Sequence, residues 1–218
     1  MADGLFETTR GAAIRGYGQA MQRRWIVLAA AAVVALGALI GVGALLGAPA
    51  QDRGTAAIGG AFRLTDQHGA RVSSDDFAGR YMLIYFGYTF CPDFCPLSLQ
   101  VMSHSLDQLP PQAAAQVVPV FITVDPERDT VEQLAHYAPL FHPGLVALTG
   151  SDGEINAAAR AYRVHFARAQ GGEGESYGVD HSTFMYLMGP DGEYVTHFGH
   201  TAKPEDIAQR LKRELGVG

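Results

Sequence analysis

The sequence predicts an α/β domain carried behind one membrane-spanning helix. Three observations predict it. An uncharged run of 24 residues lies near the N-terminus, strand-like apolar runs alternate with helix-period segments from about residue 60 onward, and a hairpin with a final helix closes that alternation. The chain has 218 residues, 48% of them hydrophobic, which suits one ordinary domain plus an additional segment. A domain of roughly 150 residues buries about two-thirds of its unfolded surface and folds without a staple. The two cysteines are therefore candidates for chemistry. A net charge of -6 speaks against a nucleic-acid partner, because such proteins carry basic patches.

Trp25 to Ala48 is the uncharged run. At about 1.5 Å per residue, a helix of that length crosses a hydrocarbon core of about 30 Å. Arg10, Arg15, Arg23 and Arg24 precede it, whereas Asp52 and Arg53 are the first charges after it. The positive-inside rule then holds the N-terminus in the cytoplasm and exports everything beyond Pro49. Ala48-Pro49-Ala50 also resembles a signal-peptidase site, but signal-peptide cores run only about 7–15 residues. The predicted division is a cytoplasmic N-terminus (1–24), a transmembrane anchor (25–48), a tether (49–60) and an exported domain (61–218). The expected location is the inner (cytoplasmic) membrane, single-pass, with the domain in the periplasm.

Within the domain, Phe62–Thr65 and Ala70–Val72 flank the turn Asp66-Gln67-His68-Gly69, which reads as a hairpin. Tyr81–Phe86 is a continuous apolar run, as in a strand buried on both faces. Leu97, Val101, Leu106 and Leu109 give helix periodicity, stopped by Pro110-Pro111. A second buried strand spans Val117–Val124, and Thr130 caps a helix to about Leu140. Leu145–Leu148 is a short strand, and Ser151 opens a helix ending near Tyr162. After a Gly/Glu loop, Thr183–Met188 and Glu193–Phe198 flank the turn residues Pro190-Asp191-Gly192. Pro204 starts the last helix. This order is the thioredoxin-like plan with an N-terminal β-hairpin.

Cys91-Pro92-Asp93-Phe94-Cys95-Pro96 falls between the Tyr81–Phe86 strand and the following helix, where open α/β sheets place their sites. A helix N-terminus favours thiolate, which is both metal ligand and redox nucleophile. Residues four apart on a helix have Cβ atoms about 5–6 Å apart, wider than the roughly 3.5–4.5 Å of a relaxed disulfide. The pair thus suits a shared metal, and a disulfide only if Cys91 lies in the loop. Imidazole is the natural completion of the set. Of the 8 histidines, most read as solvated or satisfied rings. His181 stands out because it follows Asp180 where the Gly/Glu loop meets the cysteine-bearing turn in such a sheet. His104 lies on another face of the helix from Cys95. Two sulfurs with one nitrogen form a soft set that prefers copper, particularly Cu(I), although two Cys and one His also serve catalytic zinc.

Five segments, Y-F-G-Y-T-F-C-P-D-F-C-P (85–96), V-D-P-E-R-D-T (124–130), L-T-G (148–150), A-R-A-Y-R-V (159–164) and V-D-H-S-T-F-M-Y-L-M-G-P-D-G (179–192), occur in this order. In them the chain resembles the SCO/SenC copper chaperones that serve cytochrome c oxidase assembly, over most of residues 60–215. The resemblance implies one copper ion, Cu(I) or Cu(II), on Cys91, Cys95 and His181. It implies delivery of copper to the CuA centre of cytochrome c oxidase subunit II, with upstream copper donor proteins, or reduction of that centre's cysteines. Asp125 falls in the family's acidic motif but reads first as a strand-ending Asp-Pro turn. Asp180 is a candidate to orient His181 and reads equally as a loop cap.

Enzyme readings compete. A thiol–disulfide oxidoreductase would use Cys91 and Cys95 as its redox pair, yet thioredoxin-like reductases carry C-x2-C. A peroxiredoxin would have two residues between its threonine and cysteine, whereas Thr89 and Cys91 are separated by one. A metallochaperone, with no catalytic residue, is the reading these residues favour.

Overall fold

In the computed structural model, residues 58–169 and 177–217 are described, and the predicted membrane span lies outside them. No helix among the described residues is long and apolar enough to cross a membrane. The described elements run β1 (Arg63–Asp66), β2 (Arg71–Ser73), β3 (Tyr81–Gly87), α1 (Phe94–Asp107), α2 (Pro111–Ala114), β4 (Val117–Thr123) and α3 (Val131–Tyr137). There follow β5 (Val146–Thr149), α4 (Asp152–Ala161), β6 (Phe166–Arg168), β7 (Val179–His181), β8 (Met185–Met188), β9 (Tyr194–Phe198) and α5 (Pro204–Glu214).

Seven strands form one sheet in the order β2-β1-β5-β4-β3-β8-β9. The central trio is parallel, with β3 on β4 and β4 on β5. The antiparallel β1–β2 hairpin extends one side, and the antiparallel pair β8–β9 extends the other. Centrality explains composition. Every residue of β4, and all of β3 after Tyr81, is buried. Burying side chains such as Leu83, Ile84, Phe86 and Phe121 contributes about 1.5–3 kcal/mol each against exposure.

Local chemistry sets the junctions. Asp66 closes the first turn by accepting from the His68 and Ala70 amides at 2.9 and 2.8 Å. Thr130 caps α3 by accepting from Gln133 N at 3.2 Å. Ser151 and Glu154 form a capping box on α4. The domain also reaches further back than residue 61, since Ile58 packs on the core and Gly59 N donates to Ala161 O at 2.9 Å.

The structure departs from the expected elements at four points. The buried stripe of α1 is Cys95, Leu99, Met102 and Leu106, while Leu97 is 55% exposed. The stripe therefore starts at a cysteine, which an apolar count passes over. Pro110-Pro111 does end α1, but Pro111 also opens α2, because proline's fixed φ and missing N–H cost nothing at a first turn. The strand expected at Thr183–Met188 begins only at Met185, and an unexpected strand, β7, precedes it and ends at His181. Finally, β7 pairs with β6 in a separate two-stranded ribbon, which three-residue strands are too short to announce.

Candidate metal centre

β3 ends at Gly87 and the chain turns through Tyr88–Asp93 into α1. Cys91 lies in that loop and is half-buried, and Cys95 is the second residue of α1 and fully buried. The Cys95 amide, one of the free donors of the first helical turn, points at Cys91 Sγ from 3.4 Å. Opposite, β7 delivers His181, whose Nε2 is 3.4 Å from Cys95 Sγ. The two sulfurs and an imidazole nitrogen all lie within 4.8 Å of one another. An ion bonded at about 2.0–2.3 Å to each would want them roughly 3.7–4.0 Å apart. The arrangement needs adjustment of less than about 1 Å to close on a metal.

The imidazole is oriented for that role. His181 Nδ1 lies 3.0 Å from the Ser182 carbonyl, which can only accept, so Nδ1 carries the proton and Nε2 the lone pair. Asp180, read as either an orienting carboxylate or a loop cap, is exposed and has its backbone in the β6 pairing, and the Ser182 carbonyl meets Nδ1. Burial lowers the His181 pKa, opposed by the Ser182 carbonyl and by the Asp180 charge. The ring is thus neutral, the form that ligates metals. Tyr85 and Tyr88 meet it edge-on, with ring centroids at 6.0 and 5.9 Å.

The sulfurs differ in a way that spacing does not reveal. Burial pushes the Cys95 thiol up, partly offset by a hydrogen bond from the Tyr88 backbone and reinforced by the charge of Cys91. The expected ready thiolate at the helix N-terminus is not met at Cys95, because desolvation outweighs the helix dipole there. An ion bound between Cys95 and His181 must displace that proton.

His104 is exposed on α1 and outside the group. Asp125 is buried, accepts from Tyr177 Oη at 2.7 Å and from Arg128 Nε at 2.6 Å, and is likewise outside it. Sequence reasoning missed Asp129. Fully buried, its carboxylate accepts from Thr89 N at 3.0 Å, Thr89 Oγ1 at 2.6 Å and Thr123 Oγ1 at 2.6 Å. It ties the cysteine loop to the end of β4, two residues before Cys91. Its only signal was its place in V-D-P-E-R-D-T.

The profile of the SCO1/SenC family matches residues 50–216. The chain belongs to the SCO1/SenC family. It is similar to human "Protein SCO1 homolog, mitochondrial", 44% identical over 163 residues, or 74% of this chain and 54% of that protein. It is also similar to fission-yeast "Protein sco1", 42% identical over 160 residues, 72% of this chain and 61% of that one. The chain thus spans roughly half to three-fifths of these SCO1 relatives. Among solved SCO structures, Arabidopsis thaliana ScoI with copper bound is 41% identical, with TM-score 0.68 over 73% of this chain and 99% of that chain. Bradyrhizobium japonicum ScoI with copper bound is 41% identical, with TM-score 0.67 over 72% and 99%. The expected thioredoxin-like domain is therefore the SCO fold.

Proposed function

We propose that this SCO1/SenC protein is a membrane-anchored copper chaperone that holds one copper ion on Cys91, Cys95 and His181 and delivers it to the CuA centre of cytochrome c oxidase subunit II. The observation that carries the reading is the convergence of two sulfurs and a correctly protonated imidazole within 4.8 Å. The soft donor set selects copper, and copper occupies the ScoI relatives from Arabidopsis and Bradyrhizobium. A half-exposed Cys91 beside a buried Cys95 suits ligand exchange, since an incoming thiolate reaches the ion from the Cys91 side. Full-length protein in detergent, reduced and loaded with Cu(I), should transfer the metal to an apo CuA domain. The same preparation should not accelerate insulin reduction. Insulin reduction without transfer would favour the second reading, a reductase of the CuA cysteines. A disulfide switch named for the relative BsSco, 27% identical, and the closeness of the two sulfurs here support that alternative.

The proposed placement is residues 1–24 in the cytoplasm, 25–48 across the inner membrane, a tether from 49 that ends before Ile58 joins the domain, and the remainder in the periplasm. Four arginines before the uncharged run support it. Alkaline phosphatase fused after Gly54 should be active. An inactive fusion, with an active cytoplasmic reporter at the same position, would reverse the topology.

A further inference from the structure

We infer that Arg128 is a positioning residue of the metal centre, whose guanidinium fastens the loop carrying Cys91 to the strand carrying His181. His181 needs such a fastening. It sits in a ribbon of two three-residue strands outside the main sheet, and a lone two-stranded ribbon is marginally stable in water. Cys95, in contrast, is set by α1 in the core, while Cys91 rides on the loop before it. The distance between the two halves of the site depends on whatever joins them.

Arg128 touches both. Its side chain is 9% exposed. Its Nε donates to Asp125 Oδ2 at 2.6 Å, and its Nη1 donates to the Tyr177 carbonyl at 3.0 Å, two residues before β7. The guanidinium lies 3.6 Å from the Tyr177 ring centroid, 4.8 Å from that of Phe90 and 5.6 Å from that of Tyr88. Phe90 adjoins Cys91, and the Tyr88 carbonyl accepts from the Cys91 amide at 3.3 Å. Tyr88 also borders the His181 ring. Asp125 grounds the assembly, for its amide donates to Thr123 Oγ1 at 2.9 Å at the end of β4, and it accepts the Tyr177 hydroxyl.

Only arginine suits the position. A planar, delocalised cation can stack between aromatic faces while its edge donates to a carboxylate and a carbonyl, whereas an ammonium offers no face. The neighbouring Arg168–Glu127 pair also reaches Tyr177, but its side chains are 55% and 74% exposed and exposed pairs hold little.

The test uses full-length protein in detergent, comparing the unmodified chain with Arg128→Lys and with Asp125→Asn/Arg128→Gln, which leaves no orphaned buried carboxylate. Amide exchange should quicken at residues 88–91 and 177–182 while β3 and β4 keep their protection. Cu(II) release to a chelator should accelerate roughly tenfold or more while Cu(I) affinity stays within about threefold, because Cu(I) is content with two thiolates. Only this copper readout rests on the function proposed above. If the unmodified chain shows no sulfur-to-copper charge transfer, that reading falls and exchange alone decides on Arg128. Unchanged exchange in both variants, or protection lost evenly through β3 and β4, would overturn the inference.

Discussion

Replacing His181 by alanine should shift and weaken the sulfur-to-copper charge-transfer band of the Cu(II) form and lower Cu(II) affinity at least about 100-fold, or roughly 2.7 kcal/mol. Cu(I) affinity should fall less than about tenfold. The asymmetry follows from the geometry. Cys91 and Cys95 remain within reach of one ion after the change, and two thiolates satisfy Cu(I). Cu(II) wants more ligands with nitrogen among them, and His181 Nε2 is the one imidazole nitrogen of the group among the described residues. Both affinities should rise with pH, because burial holds the Cys95 proton that binding must expel. His181 adds no such dependence near neutrality, since its lowered pKa leaves the ring already neutral. His104→Ala is the control and should change neither oxidation state, for that ring is exposed and outside the group. A wild-type Cu(II) spectrum in His181→Ala would remove His181 from the ligand set.

How much of this site could be read from the chain depends on how local each signal is. Cys91 and Cys95 are four apart at a strand–helix junction, so apolar run, turn and helix start were enough to find them. His181 needed the topology to bring it across 86 residues, and the motif around it supplied that. The supporting groups escaped for the same reason. Asp129 meets Thr89 across 40 residues and Arg128 meets the Tyr177 carbonyl across 49, and neither pairing leaves a periodicity. The Ser182 carbonyl that meets His181 Nδ1 was not anticipated, because a backbone acceptor one residue after the histidine is invisible as a motif. In α1 the error was one of register. Counting only Leu and Val chose Leu97, whereas the buried face runs through Cys95.

Gly87→Ala should damage both fold and metal site, although Gly87 lies on a strand and carries no ligand. Its φ is not in the left-handed region, so backbone conformation does not require glycine here; space does. A Cβ at residue 87 would stand 2.8 Å from Cys95 Sγ, 2.9 Å from Tyr85 Cε1 and 3.1 Å from Phe121 Cε2. Phe121, Tyr85 and Cys95 are all fully buried, so none can yield cheaply, and the tightest approach falls on Cys95 Sγ. Overpacking of this kind costs about 1–3 kcal/mol of stability. The displaced sulfur also leaves its 3.4 Å approach to His181 Nε2, and Cu(II) affinity should drop by roughly tenfold or more. Denaturant unfolding and copper titration of the same preparation separate the two effects. Gly153→Ala is the matched control, because nothing lies within 4 Å of its added Cβ on α4, and helix propensity there favours alanine by about 0.8–1.0 kcal/mol. If Gly87→Ala lost stability but bound Cu(II) as the unmodified chain does, Cys95 Sγ would not be held in place by the bare backbone of residue 87.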